Sequence, residues 1–563
     1  MTNFLIHDIL ILKIGEKMES VKVIINNKTY NYPKNTTLYK ISEDFKDEFN
    51  NDILIAKLNG EIVWLNEQVI SPSKIEFFDV SSKIGSKAYE RTAILILVKA
   101  VKDVMGKDVR VEYSIDKGIY CTVKGLDINT LTLIHERMNE IIDASYKIEK
   151  LNTNRLNTIK YYEKNRMYDK AELLKYISNT YVTIYKLDDV YDYMYGDMLI
   201  NTAYINEFNL EYVGSNGFVL MLPFIYNENK VSSYTHHEDL FNTEEEYNKW
   251  CHKIGINNIT DVNKKLSEGK FNDLIFMSEA RQNNELFNIA HKIASNKNIK
   301  MVLISGPSSS GKTTTSRKLK LFLESEGLKP YALSVDDYFL ERDETPVDEN
   351  GKRDYESVNA LDINLFNKQL EEILDGKEVI LPTFNFISGK KEFKKKFRLQ
   401  PNGILIIEGL HSLNDELTSK IDASNKFKIY LSPLTCLNLD NHNRLNTTDN
   451  RLLRRMVRDN LRRGYNASET LESWPRVRHG ETKYVFPYQD SADVVLNTSL
   501  IYEINVLKVY AEPLLFSVEE NDPNYREAIR LINILRMALP MPAALVPHDS
   551  ILREFIGNGC FDE

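Results

Sequence analysis

Apolar and polar positions follow two periods along this chain, and the switches between them mark its organisation. In 21–32, VKVIINNKTYNY, they alternate on either side of Asn26-Asn27, which predicts a hairpin. TLYKISEDFKDEF then puts Leu38, Ile41 and Phe45 on one helical face, and ILIAKLNGEIVWL gives two more strands turning at Asn59-Gly60. The first unit, 21–83, is thus ordered β-β-α-β-β. From 84 to 225 the pattern opens helical in YERTAILILVKAVKDVMG and returns to strand period in VRVEYSIDKGIYCTV; a long polar helical segment is expected near 129–185. Residues 226–298 read as a helical connector. In 299–515 strand-length apolar runs precede helical ones, and 516–563 form an appendage with the helical stretch REAIRLINILRMAL and a Pro-rich bend. Residues 1–20 are expected to be an extension without structural role: their apolar patch is broken by Asp8 and no small-residue cleavage site follows, which argues against a signal peptide.

Composition restricts the ligands. The 563 residues suggest three or four domains at roughly 150 residues each. Lys and Arg number 72 against 81 Asp and Glu, a net charge of −9, so no bulk positive field holds nucleic acid or an anionic membrane. Any anionic ligand must be met by a local site. Cys121, Cys251, Cys436 and Cys560 lie far apart, which excludes a disulfide framework and a Cys-based zinc site and fits a reducing cytosol. Apolar runs such as 93–98 and 404–407 fall short of the roughly 20 residues a bilayer crossing needs. His236, His237 and Glu238 diverge by about 100° per residue on a helix and read as a solvated face.

The chemistry concentrates in MVLISGPSSSGKTTTSRKLKLFLES. A strand-length run at 301–305, GxxxxGK[ST] at 306–313 and a helical stretch follow in the order a phosphate-binding loop requires. Successive backbone N–H groups and the positive helix end surround a polyphosphate, Gly306 and Gly311 let the loop bend, Lys312 adds a point charge, and Thr313 offers a hydroxyl to Mg²⁺. Downstream, YALSVDDYF ends a strand on two carboxylates. Asp336 is the candidate base, with Asp337 as the alternative base, a water-mediated metal contact or a helix cap. GILIIEG puts Glu408 at a strand's carboxyl end, placed to reach a metal through water. In RLLRRMVRDNLRRGY, Arg451, Arg454, Arg455 and Arg458 fall at i, i+3, i+4 and i+7, one helical face expected to meet phosphate; the alternative is a solvated face paired with Asp449 and Asp459.

GPSSSGKT, DDYF, LPTFNF, ILIIEG and RLLRRMVRDNLRRG, in that order over roughly 300–515, resemble the uridine kinase and phosphoribulokinase family. The resemblance implies an α/β P-loop kinase with a parallel sheet and helical lid, using ATP and Mg²⁺ to phosphorylate the 5′-hydroxyl of a nucleoside or related small molecule. It implies triphosphate binding by Gly306, Pro307, Ser308, Ser309, Ser310, Gly311, Lys312, Thr313, Thr314 and Arg451, and magnesium at Thr313 and Glu408. Catalytic roles fall to Lys312, Asp336, Arg454, Arg455 and Arg458, and acceptor contacts to Asp336, Tyr338, Glu356, Phe384 and Arg458. Departures leave the acceptor open. Glu356 and Ser357 stand where that family has an acid and a histidine, and Phe384 and Gly389 stand near the Tyr and His that hold a pyrimidine; Phe384 retains only the capacity to stack.

The front of the chain resembles threonyl-tRNA synthetases: 21–83 their β-grasp TGS module, and 84–225, through DKGIYC and YMYGDMLINTAYINEFNLEYVGSNGFVLMLPF, their second additional, editing-type α+β domain. Arg91, Leu95, Met194 and Met198 occupy the positions of that domain's His and Cys/His groups, so editing chemistry is expected to be absent, leaving a substrate or RNA platform or a docking surface. GKKEFKKKFRL (389–399) reads as an acceptor-side hairpin touching phosphate or RNA, or as a solvated ribbon. SILREFIG is similar to the ending of related two-part kinases. A cytoplasmic protein without membrane partners is expected, with a homo-oligomer among the partner expectations and RNA the less favoured partner. The alternatives are a nucleotide-sensing RNA- or ribosome-associated module and a kinase of a phosphorylated sugar.

Overall fold

Val21, Val23 and Ile25 are buried in β1 (Ser20–Ile25) while the residues between them face solvent, so the period-2 pattern becomes one covered sheet face. In the computed structural model the described residues are 19–561 apart from 215, 225–229, 348–350, 352, 386–387 and 436; the expected extension lies outside them up to residue 18, as does Cys436. The chain divides into two compact units. Among the described residues one holds 19–171, Ser178–Thr235 and Asn441–Asn443; the other holds Glu172–Ile177, His236–Asp440 and 444–561.

In the first unit, β1 turns into β2 (Lys28–Pro33) through Asn26 and Asn27, both at positive φ (50° and 61°), the geometry a tight two-residue hairpin demands. Helix α1 (Leu38–Ser42) buries Leu38 and Ile41. With β3 (Ile55–Leu58), β4 (Glu61–Val63) and β5 (Ser73–Phe78) the strands form a mixed sheet of order β2-β1-β5-β3-β4, whose β1 and β5 run parallel. The 23-residue helix α2 (Lys83–Met105) is capped by Ser82, which accepts the Gly85 N–H, and ends at Gly106 with φ 62°. Its apolar centre packs with β6 (Arg110–Ile115), β7 (Gly118–Thr122) and α3 (Ile128–Asp143) in one core.

The segment near 129–185 is not one long helix. After α3, β8 (Ile148–Asn154) pairs antiparallel with β9 (Tyr181–Leu187), because the buried Ile148, Tyr185 and Leu187 give a covered face that the polar residues around them mask in the sequence. Leu95, Met194 and Met198 lie in the α2 core, and Arg91 donates to the Asp197 carbonyl at 2.9 and 2.6 Å. None of the four offers a metal ligand or a base to a cleft.

The second unit begins with α4 (Glu238–Lys253), α5 (Ile259–Ser267) and α6 (Phe271–Ser295). His236 pairs with Glu238 at 2.9 Å and His237 with Asp490 at 2.8 Å, and the described residues contain no cluster fit for a metal ion of three or more His, Cys, Asp or Glu. Five parallel strands follow: β13 (Met301–Ser305), β14 (Lys329–Ser334), β17 (Gly403–Glu408), β18 (Lys426–Ser432) and β19 (Val494–Asn497), in the order β14-β17-β13-β18-β19. The first unit also holds β10 (Val190–Asp192), β11 (Asn209–Gly214) and β12 (Gly217–Met221). Both faces of this sheet are covered: Met301 and Leu303 belong to the core beneath α8 (Ile363–Leu374), while Val302 and Ile304 belong to the core of α6 and α7 (Lys312–Ser325). A hairpin of β15 (Val379–Asn385) and β16 (Lys390–Phe397) carries the lysine run, in which Lys390, Lys394, Lys395 and Lys396 are exposed and Lys391 is half-buried. Helices α9 (Thr447–Arg463), α10 (Ala467–Tyr484), α11 (Glu503–Phe516), α12 (Tyr525–Arg536) and the turn α13 (Arg553–Ile556) complete it. Among the described residues no helix is long and apolar enough to cross a membrane.

Because Leu303 is fully enclosed at the centre of the sheet, Leu303→Ala should destabilise this unit by about 2–5 kcal/mol. Chemical denaturation monitored by circular dichroism measures it.

Candidate active site

The parallel sheet brings three chain segments to one edge. Ile304 and Ser334 both stand in register with Glu408, so the carboxyl ends of β13, β14 and β17 meet there. From β13 the chain enters the loop 306–311 and continues into α7 at Lys312. A Cβ at Gly306 would run into the Leu431 carbonyl of β18, and Gly311 caps α7 at φ 89°, so both positions require glycine.

The loop is shaped from outside. Arg451 Nε donates to the Ser308 carbonyl (3.0 Å), Arg454 Nη1 to the Ser309 carbonyl (3.4 Å) and Thr498 Oγ1 to the Ser310 carbonyl (2.6 Å). A trans peptide points its N–H opposite its C=O, so holding the Ser308 and Ser310 carbonyls turns the N–H groups of Ser309 and Gly311 the other way, into a concave nest. Pro307 contributes the carbonyl that accepts the Ser310 N–H (3.2 Å). Lys312 Nζ donates to the carbonyls of Gly306 (2.9 Å) and Pro307 (3.2 Å). Burial pulls its ammonium down, opposed by the carboxylates of Glu408, Glu554, Asp336 and Glu481. Thr313 is exposed to solvent and Thr314 buried.

Asp336 follows β14 in a short helical turn and presents an accessible carboxylate. The protein mass around it still raises its pKa, with Lys312 opposing and Asp337 reinforcing. Asp337 instead accepts the Phe384 N–H (3.2 Å), tying β15 to this turn. Glu408, half-buried, is pushed up to about 7 by burial and then by Asp336, against Lys312. Glu356 is pushed up to about 7 by burial and then by Glu481, against Arg455, and packs on Gly480 of α10. His411, beside the Glu356 backbone and edge-on to Tyr484 (5.8 Å), is kept neutral by burial, which pulls its imidazole down to about 4.

The single phosphate-facing arginine stripe expected on α9 is corrected by the structure, which splits it. Arg451 and Arg454 are buried and ion-paired with Glu481 and Glu503, so they act as the loop's scaffold. Arg455 is half-buried and donates to Ser308 Oγ (2.8 Å), and Arg458 is held by Asp459 (2.8 Å). Helical spacing places four residues on a face but does not say which carboxylates that face meets. Tyr338 and Phe384 are not brought to the cleft. Tyr338 donates to Gln369 Oε1 (2.8 Å) against Phe366, and Phe384 packs on Phe339 (5.8 Å), both inside the core.

Three groups at the site escaped sequence reasoning. Glu481 accepts the Ser308 N–H (2.7 Å) and is held by Arg451 and Arg478; Arg463 lies close enough to Asp336 to lower its pKa; Glu554 accepts the Thr314 N–H (3.0 Å). Only the Arg478–Glu481 spacing of three, one helical step, was open to reading in advance.

Residues 301–503 match the family model described as Phosphoribulokinase / Uridine kinase family. The chain is 30% identical over 203 residues to a uridine kinase of Borrelia duttonii, covering 35% of this chain and 86% of the relative. It is 28% identical over 226 residues to a uridine kinase of Mycoplasma genitalium, covering 39% of this chain and 97% of the relative. Its N-terminal region is similar to a threonine–tRNA ligase of Caldanaerobacter subterraneus subsp. tengcongensis, 28% identical over 205 residues, 35% of this chain; the chain spans 32% of that ligase's length.

Arg454→Ala leaves Glu503 buried without its guanidinium and should cost about 3–5 kcal/mol of stability, whereas Arg455→Ala should cost about 1 kcal/mol or less. Denaturation midpoints of the two variants test the division between scaffold and cleft arginines.

Proposed function

Because the chain belongs, through residues 301–503, to the phosphoribulokinase and uridine kinase family, we propose that it moves the γ-phosphoryl group of ATP to the 5′-hydroxyl of a nucleoside. The observation that carries this reading is the meeting of Lys312, Asp336 and Glu408 at one sheet edge, each within the others' electrostatic reach. An ammonium, an accessible carboxylate and a second acid beside a nest of amides are the groups that in-line phosphoryl transfer needs.

In this reading the nest, the α7 dipole and Lys312 hold the triphosphate. Asp336 takes the proton of the acceptor hydroxyl while its oxygen bonds to the γ-phosphorus and the bond to the ADP oxygen breaks. Arg455, Arg458 and Arg463 line the side where charge develops. The exposed Thr313 and the Glu408 acid, raised by burial and Asp336 against Lys312 and Arg317, fit Mg²⁺, which when bound with ATP supplies charge neutralisation on the phosphates. A phosphorylated sugar as acceptor is the second reading, favoured by Lys395 of the hairpin, close enough to Asp337 to lower its pKa.

The proposed domain boundaries remain 21–83, 84–225, 226–298, 299–515 and 516–563, with the first two as TGS-like and editing-like modules that lack editing chemistry. The burial of Leu95, Met194 and Met198 supports that lack. A cytoplasmic location is part of the same reading.

With ATP, Mg²⁺ and a panel of pyrimidine and purine nucleosides and sugar phosphates, ADP release should depend on one acceptor class, and Lys312→Ala should abolish it. Transfer that survives Lys312→Ala would remove the site assignment. Asp336→Asn should lower turnover about 10²- to 10⁴-fold while ATP still binds, as calorimetry and steady-state rates together would read.

A further inference from the structure

The C-terminal turn ends on the P-loop. Glu554 Oε2 accepts the N–H of Thr314, which lies in the first turn of α7 and is one of the amides left without an intrahelical partner. Three residues earlier, Ile551 covers the outer side of the loop, 2.6 Å from where a Cβ on Gly311 would lie. The segment is fastened around these contacts. Arg553 donates to the carbonyls of Ala543 (2.8 Å) and Val546 (2.5 Å), Asp549 pairs with Lys318 of α7 (3.1 Å), and Phe555 lies 5.0 Å under the Arg454 guanidinium.

We propose that the Glu554 carboxylate is an internal competitor for the nucleotide, seated on the Thr314 amide that the triphosphate must take. The inference rests on the P-loop reading given above. A carboxylate oxygen and a phosphate oxygen are equivalent acceptors for one backbone N–H, and they exclude each other there. Lys312 is consistent with a loop in its self-occupied state, since its ammonium is turned onto the loop's own carbonyls and feels the Glu554 charge.

Glu481 sits at the other end of the loop on the Ser308 N–H, but Arg451 and Arg478 bind it as well, which makes it part of the scaffold. Glu554 differs. Among the described residues the Thr314 amide is its side chain's one hydrogen-bond partner, and it is only half-buried while Ile551, Leu552, Phe555 and Ile556 are packed. Its carboxylate is therefore free to swing away about its own side-chain bonds with the turn left in place. Binding of ATP then carries the cost of breaking one charge-assisted hydrogen bond.

Removing that carboxylate has two effects of opposite sign. The first turn of α7 loses a capping acceptor, and the nucleotide loses a competitor. Full-length wild type, Glu554→Ala and Glu554→Gln are titrated with ATP and Mg²⁺ by calorimetry and melted without nucleotide. Glu554→Ala should bind ATP on the order of ten- to a hundredfold more tightly than wild type while melting at a lower temperature. Glu554→Gln, which keeps an acceptor without the charge, should fall between them and serves if the alanine variant does not fold. A merely structural cap would lower the melting temperature and leave affinity unchanged or weaker, and that result overturns the proposal while the kinase reading stands. Absence of ATP binding in wild type and both variants overturns the proposal and the kinase reading together.

Discussion

Everything at this site depends on a backbone held from behind. Phosphate recognition by amides requires peptide planes with fixed orientation, and a loop of small residues has none of its own. Arg451, Arg454 and Thr498 supply it by taking the carbonyls of Ser308, Ser309 and Ser310. The two guanidiniums are themselves desolvated, and each is satisfied by a buried glutamate, Glu481 or Glu503. A buried charge pair contributes little net stability by itself, but its rigid fork makes it a precise fixing point for carbonyl oxygens.

Around Lys312 the electrostatics are unbalanced by construction. Glu408, Glu554, Asp336 and Glu481 all act on one ammonium, and burial, reinforced by Asp336, raises the Glu408 carboxyl to about 7. Crowded acids of this kind accept a cation readily and release a proton when they do. The arrangement thus favours a ligand that arrives with its own positive charge, as a metal-bound polyphosphate does, over a bare anion.

How much of this was legible beforehand divides by range. The strand, loop and helix at 301–325 were readable because each signal is local: an apolar run, two glycines, a helical period. Asp336 and Glu408 were readable from their place at strand ends. What failed was tertiary. The arginine spacing on α9 was correct as a face, yet the partners that decide its role lie 30 residues away at Glu481 and 49 away at Glu503. Glu554 meets Thr314 across 240 residues, beyond any periodic signal. The same holds for the strand at Ile148–Asn154, where isolated apolar residues acquire a covered face only once Tyr181–Leu187 pairs with them.

Recognition of the acceptor follows from what the core has taken away. Tyr338 and Phe384, the aromatic candidates for stacking on a base, are spent on packing, with the Tyr338 hydroxyl committed to Gln369. Near Asp336 there remain polar groups: the Glu356 carboxyl, with Arg455 in its field, and the neutral His411 beside the Glu356 backbone. An acid in such a site discriminates by hydroxyl geometry, because unpaired polar groups penalise an acceptor lacking the matching donors. In the proposed reaction, then, the Glu356 carboxyl, within the field of Asp336, is the group placed to meet a hydroxyl of the acceptor.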